Sequence, residues 1–293
     1  MKEIFVRGRS LPDAYHQAIA ALHREGEVLT TRDWGQMQKE VSMTFVAEEP
    51  LAEPMVSKLY IGGFRELQQY AMEILDGILD FRIGDGWDYT YHDRMVNFPL
   101  MRRGLTAASA QGPADAPVSS PIEVSGADSD GATPAFDQVA FVIGELRRQT
   151  DSRRAVIAVR DNGVDPFSDD PACLQHIQYL IRDGALHCKV LMRSNDAPKA
   201  SFMNAFAFVL LQRSIADDLG IGVGSYTHRA NSYHAYERDF KLLEQYATAI
   251  TEKPMEEITY PYESFFKELM EESIPAIRSM ADGLRDKKGA GRE

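Results

Sequence analysis

The sequence predicts an α/β or α+β protein, on three observations. Segments with apolar residues at helical spacing alternate with short β-branched and aromatic runs, a pattern common to both classes. With 293 residues and 44% hydrophobic content the chain can bury a large core, and it reads as one domain over residues 1–293. No internal repeat divides it.

Residues 11–25 read as a helix, with Pro12 and Asp13 suited to its first turn, Ala14, Ala18, Ala21 and Leu22 at helical spacing, and Gly26 as its stop. A polar loop, Thr31-Arg32-Asp33-Trp34-Gly35, leads to a strand over 41–46 with partial alternation. Residues 64–79 form a second helix with Leu67, Ala71, Ile74 and Leu75 on one face. An aromatic-rich loop or short strand follows over 85–94. From 104 to 135 Ala, Ser, Gly, Pro and Asp dominate. Such a stretch cannot offset its ordering entropy by burial, which predicts a flexible insertion within the domain. A helix over 136–150 and strands over 155–159, 177–181 and 186–192 come next. Residues 202–219 are almost wholly apolar and predict a buried helix. The tail reads as an amphipathic helix over 262–284 with a charged, frayed end.

Composition excludes several classes. A net charge of −12 argues against a broad basic face for nucleic acid, so any anionic ligand must be held by local arginines. The two cysteines, Cys173 and Cys188, show neither zinc spacing nor a disulfide framework. The start has no signal-peptide pattern and no run approaches a membrane span. A cytoplasmic location is expected.

The pivot is Asp170-Pro171-Ala172-Cys173-Leu174-Gln175. Arg153 and Arg154 precede it, and Arg193-Ser194 follows it. Thiolate is the strongest soft nucleophile among side chains, and nearby guanidinium charge favours it. Guanidinium forks beside a hydroxyl also suit a phosphomonoester. A lone cysteine is more often a small buried apolar residue; that holds for Cys188 inside a strand, and the arginines reverse it for Cys173. A Cys/His hydrolase using His176 or His187 lacks an orienting third group. A metal site at His228 and His234 lacks a further ligand nearby.

Taken in order, Phe136-Asp137-Gln138, Asp151-Ser152-Arg153-Arg154, Pro171-Ala172-Cys173, Arg193-Ser194-Asn195-Asp196, Asn204 and His234-Ala235-Tyr236 resemble the thymidylate synthase superfamily. The spacing matches without gaps from Arg154 to Asn204, and Asp88-Tyr89-Thr90-Tyr91 with Arg94 is closest to archaeal-type members. The resemblance spans about residues 60–240 without the insertion. It implies a mixed sheet with helices on one face, packed sheet-to-sheet in a homodimer with shared active sites.

The implied substrate is a pyrimidine nucleoside monophosphate, and the implied cofactor is 5,10-methylenetetrahydrofolate or a related reduced pterin. Cys173 matches the nucleophile that adds to C6. Arg193 and Ser194 match phosphate ligands, Arg153 and Arg154 match the pair lent by the partner subunit, and Arg32 lies where the family has another phosphate arginine. Asn204 matches the amide that reads the base edge, which suits uracil. His234 and Tyr236 match the ribose pair, Tyr91 the tyrosine linked to removal of the C5 proton, and Asp196 a residue on the pterin side. The water-ordering glutamate is Glu73, with Glu66 as second choice. Leu174 stands where bacterial synthases carry histidine, and the chain end does not resemble their short terminal cap. Methylation and hydroxymethylation therefore both stay open, since closing out water favours the first.

Overall fold

In this computed structural model, which describes residues 1–31, 35–99 and 135–290, the chain begins with β1 (Glu3–Gly8), α1 (Leu11–Glu25), β2 (Glu27–Thr30), β3 (Met37–Ala47) and a short β4 (Val56–Ser57). It continues through α2 (Phe64–Leu75), α3 (Tyr91–Val96), β5 (Phe98–Pro99), β6 (Ala135–Phe136), α4 (Gln138–Arg148) and β7 (Val156–Ala158). Then come β8 (Leu174–Arg182), β9 (Ala185–Asp196), α5 (Ser201–Leu219), β10 (Gly222–Tyr236), α6 (Phe240–Glu252), β11 (Thr259–Tyr260) and α7 (Lys267–Ala290). Arg32 lies outside the described residues, as does the expected insertion except for Ala135, which pairs with Pro99.

The sheet is mixed, as expected. Its order is β1-β3-β10-β9-β8-β7, with β2 also paired to β3. β1 runs parallel to β3, and β9 parallel to β10, while the other neighbours are antiparallel. Alternate residues of β8, namely Ile177 and Tyr179, are fully buried, whereas the intervening Gln178 and the following Leu180 are half-exposed. One face is therefore packed and the other is not. Helices α1, α4 and α5 pack against the sheet, and α5 also touches α2. Its apolar sequence is explained by that position: Phe202, Phe206, Phe208 and Val209 are all buried. Gly220 ends α5 in the left-handed region (φ 68°) that glycine adopts freely.

The helix ends follow local chemistry. At α1, the Ser10 hydroxyl accepts from the Asp13 N–H, and the Asp13 carboxylate accepts from the Arg9 N–H at 2.7 Å. Three expectations shift. The helix expected over 64–79 stops at Leu75, because Gly77 takes φ 61°. A Cβ there would lie 2.2 Å from His92 Nδ1, so the chain turns where no side chain fits. The stretch expected as loop or strand over 85–94 ends in α3, capped by the Thr90 hydroxyl, which accepts from the Asp93 N–H at 3.0 Å. Aromatic propensity for strands loses there to packing, since Arg94 of α3 is buried against Asp165. The tail stays helical through Ala290, and Lys288 donates to the carbonyls of Phe81 and Ile83. No helix among the described residues is long and apolar enough to cross a membrane.

Candidate active site

The turn before β8 and the end of β9 build the site together. The Cys173 carbonyl accepts from the Arg193 N–H at 2.8 Å. The Arg193 guanidinium returns to the same turn, donating from Nη2 to the Pro171 carbonyl at 2.6 Å and from Nε to the Ala172 carbonyl at 3.1 Å. A third tie comes from α3, where the Tyr91 hydroxyl accepts from the Leu174 N–H at 3.2 Å. Cys173 is thus fixed from both sides.

Its side chain opens on a cavity of about 360 Å³ lined by Tyr70, Tyr91, Ser194, Asp196, Asn204, His234 and Tyr236 among others. Five elements supply these residues: α2, α3, β9, α5 and β10. The end of β10 is re-aimed by a bulge, since its register with β3 steps three residues against two between Ala230 and Tyr233. The Asn204 amide is held at both ends. It accepts from Asn195 Nδ2 at 2.9 Å and donates to the Tyr70 hydroxyl. His234 Nε2 is buried with no partner among the described residues, although its ring lines the cavity.

Burial sets the electrostatics. It pushes the Cys173 thiol up, with Asp170 adding to the rise and Arg193 opposing it. The expected lowering by flanking arginines is therefore outweighed, because only Arg193 is near enough to act. Burial also pushes up Asp196, to about 6, and Tyr91, well above the usual phenol range. His234 is pushed down by burial and so favours the neutral ring.

A second cavity of about 580 Å³ adjoins the first through Tyr70 and Tyr91. Its walls include Glu73, Ile74, Leu79, Trp87 and Tyr89, together with Asp80, Asp88, Asp169 and Asp170. Glu73 accepts from Gln69 Nε2 at 2.9 Å, and burial raises its carboxyl above the usual range. The alternative, Glu66, is spent on the helix start, where it accepts from the Gly63 N–H at 2.8 Å.

The thymidylate synthase family model matches residues 66–272. This chain belongs to the thymidylate synthase family. It is 28% identical to a "Putative thymidylate synthase" of Methanocaldococcus jannaschii over 250 residues, covering 82% of this chain and 95% of the relative. A protein of the same description from Methanosarcina barkeri is 23% identical over 239 residues, covering 82% and 92%. The solved thermostable thymidylate synthase A of Bacillus subtilis matches with a TM-score of 0.55 at 18% identity, over 82% of this chain and 84% of that one. That likeness supports the fold alone.

Of the site residues expected for a thymidylate synthase family member, the first cavity gathers Cys173, Tyr91, Ser194, Asp196, Asn204, His234 and Tyr236. Arg193 stands behind the Cys173 turn, and Glu73 lines the second cavity. Arg153 and Arg154 line neither. Both are exposed, and Arg154 is paired with Glu145 at 3.0 Å. Sequence reasoning missed Tyr70, Asn195, Lys199 and Met203. Tyr70 was findable, because it lies three residues before Glu73 on the same face of α2. Asn195 had no such signal, since its role depends on a neighbour in β10.

Proposed function

We propose that this protein transfers a one-carbon unit to C5 of a pyrimidine nucleoside 5′-monophosphate, with dUMP as first substrate and dTMP as product. One observation carries this: a thiol, a phenol, an amide, an unpartnered imidazole nitrogen and a hydroxyl converge on one cavity of about 360 Å³. A nucleotide fits that set. Ser194 takes the phosphate inside the cavity, with Arg193 Nη1 as its cationic partner because Nε and Nη2 of that guanidinium are bound to the Cys173 turn, and His234 Nε2 with Tyr236 takes a ribose hydroxyl. The Asn204 amide reads the base edge, offering an acceptor to N3–H and a donor to O4.

The Cys173 thiolate adds to C6, which breaks the C5–C6 double bond and leaves C5 an enolate-like carbon nucleophile. Tyr91, whose hydroxyl is fixed beside Cys173 by the Leu174 N–H, serves removal of the C5 proton. Glu73 keeps its proton longer than an exposed carboxyl, which suits a group that orders water and shuttles protons. The neighbouring cavity suits the donor, because Trp87, Tyr89, Ile74 and Leu79 offer apolar and aromatic walls to a flat pterin ring. When bound, 5,10-methylenetetrahydrofolate or a related reduced pterin supplies the one-carbon unit and, for methylation, the hydride. Asp196, assigned to the pterin side, lines the first cavity and would contact the donor from there.

We further propose a homodimer with shared sites, formed through the unpacked sheet face. The exposed positions of Arg153 and Arg154 support lending them to the partner's phosphate. A second reading is hydroxymethylation, in which water takes the place of the hydride and the same nucleotide residues serve.

The experiment is product mass after incubating dUMP, UMP, dCMP and CMP separately with methylenetetrahydrofolate. A methyl product with dihydrofolate released is expected. A product heavier by one oxygen, with tetrahydrofolate regenerated, replaces methylation by hydroxymethylation. No product from any nucleotide, or full turnover by Cys173→Ser, refutes the covalent one-carbon mechanism.

A further inference from the structure

Behind Asn204 runs a buried chain of hydrogen bonds that the proposed chemistry does not use. Tyr226 and His228 are neighbours on one face of β10, joined between the Tyr226 hydroxyl and His228 Nδ1 at 2.8 Å. His228 Nε2 meets Asn195 Oδ1 at 2.9 Å, and Asn195 Nδ2 meets Asn204 Oδ1 at 2.9 Å. Asn204 Nδ2 then meets the Tyr70 hydroxyl. Tyr226 and His228 are fully buried, and the His228 ring stacks on Phe45 at 4.7 Å. Burial pushes the His228 pKa down to about 3, so the ring is neutral and carries a single N–H.

Such a chain is consistent in two directions. Hydrogens can point from Tyr226 to Tyr70, or every donor and acceptor can be exchanged, with both amides flipped and the imidazole in its other tautomer. The two directions present opposite faces to a base. In the first, Asn204 has its acceptor on the Asn195 side and its donor on the Tyr70 side; in the second the two are exchanged. Uracil and cytosine differ by the same exchange at N3 and the C4 substituent.

The ends decide. If the chain ran toward Tyr226, its hydroxyl would accept from His228 and its own hydrogen would be buried with no acceptor, since it bonds no other group among the described residues. An orphaned buried donor is disfavoured by about 1–3 kcal/mol, roughly 5- to 150-fold. The Tyr70 end carries no such constraint, because Tyr70 lines both cavities and its hydroxyl hydrogen can find a partner there. Tyr70 also borders the second cavity, toward which C5 must face, so the C4 substituent falls on its side. A donor beside Tyr70 then meets O4, and the acceptor beside Asn195 meets N3–H.

We infer that Tyr226, acting through His228 and Asn195, locks the Asn204 amide in the orientation that selects uracil over cytosine. This rests on the one-carbon transfer reading of the same site. Tyr226 and His228 are positioning residues buried behind the cavity, and Asn195, at the cavity wall, positions Asn204 through its hydrogen bond.

The test compares wild type, Tyr226→Phe and Asn195→Ala. Nucleotide binding is measured by calorimetry, kcat/KM with dUMP and dCMP in competition, and the His228 tautomer by ¹⁵N NMR. Wild type should prefer dUMP and carry the His228 proton on Nε2. Both variants should lose roughly tenfold of the dUMP/dCMP discrimination, more through dCMP gain than dUMP loss. A purely structural role would lower activity on both nucleotides alike. If Tyr226→Phe fails to fold, Asn195→Ala and the wild-type tautomer still decide. A wild-type proton on Nδ1, a dCMP preference with the proton on Nε2, or an unchanged ratio in the folded variants overturns the lock while leaving one-carbon transfer standing. Wild type that binds neither nucleotide overturns both.

Discussion

Replacing Arg94 by methionine removes a cation from the most buried ion pair of the described residues while keeping most of the side chain's volume. Arg94 Nη1 lies 2.7 Å from Asp165 Oδ1 and 2.8 Å from Oδ2, and it donates to the Val159 carbonyl at 3.0 Å. The Asp165 side chain has no exposure, and that of Arg94 has 6%. Arg94 sits three residues after Tyr91 on α3, while Val159 and Asp165 lie on the segment leading to Cys173. The pair therefore joins the two halves of the site. After Arg94→Met, Asp165 retains the Asp161 N–H at 2.9 Å and no counter-charge within the pair. Breaking such a pair from one side costs about 3–5 kcal/mol, most of it from the stranded charge. At about 2–3 °C per kcal/mol for a chain of this length, the melting temperature should fall by about 6–15 °C. Circular dichroism melts and urea titrations measure it. The double variant Arg94→Met/Asp165→Leu should recover much of the loss, because no charge remains to be desolvated. A single-variant loss below about 1 kcal/mol, or a double variant no better than the single, would refute the stranded-charge account.

Burial raises the Cys173 thiol, so its thiolate fraction should still be climbing above pH 8. Iodoacetamide alkylation of the free protein should rise steadily from pH 7 to pH 9, and a plateau below pH 8 would contradict that sign. Arg153→Ala and Arg154→Ala should each weaken nucleotide binding. Mixing either with Cys173→Ser should restore part of the activity through hybrid dimers, whereas no recovery would exclude shared sites. Gly77→Ala should cost about 2–4 kcal/mol by combining a left-handed backbone with a clash against His92 and Asp80. Denaturant titration would read it, and a neutral result would mean that the loop beneath the second cavity relaxes freely.

The outline of the fold was legible wherever a segment obeys one period. Helix α1 matches its sequence bounds, because Pro12 and Gly26 punctuate a clear apolar stripe. The buried α5 is legible for the converse reason, being apolar nearly all round. Misjudged ends lie where a remote contact wins over local preference. Gly77 ends α2 because His92 and Asp80 occupy the space of a side chain, and α3 forms where aromatic residues alone suggest a strand. Most of the candidate site was named through the family resemblance, which rests on residues such as Cys173, Asn204 and His234 standing in fixed order along the chain. Glu73 faces a cavity while Glu66 caps a helix, a difference in position that the sequence does not display.

By itself the sequence determined the class and the family, because these follow from periodicity and from motifs in fixed order along the chain. The tertiary structure decided the states of the side chains. Cys173 carries flanking arginines in sequence, yet burial outweighs the one cation that reaches it. Asn204 has a donor and an acceptor in any context, and the chain of hydrogen bonds through Asn195, His228 and Tyr226 that holds its amide exists only in the fold. Burial and hydrogen-bond direction are properties of neighbours brought together across the sheet, and neighbours of that kind leave no mark in local sequence.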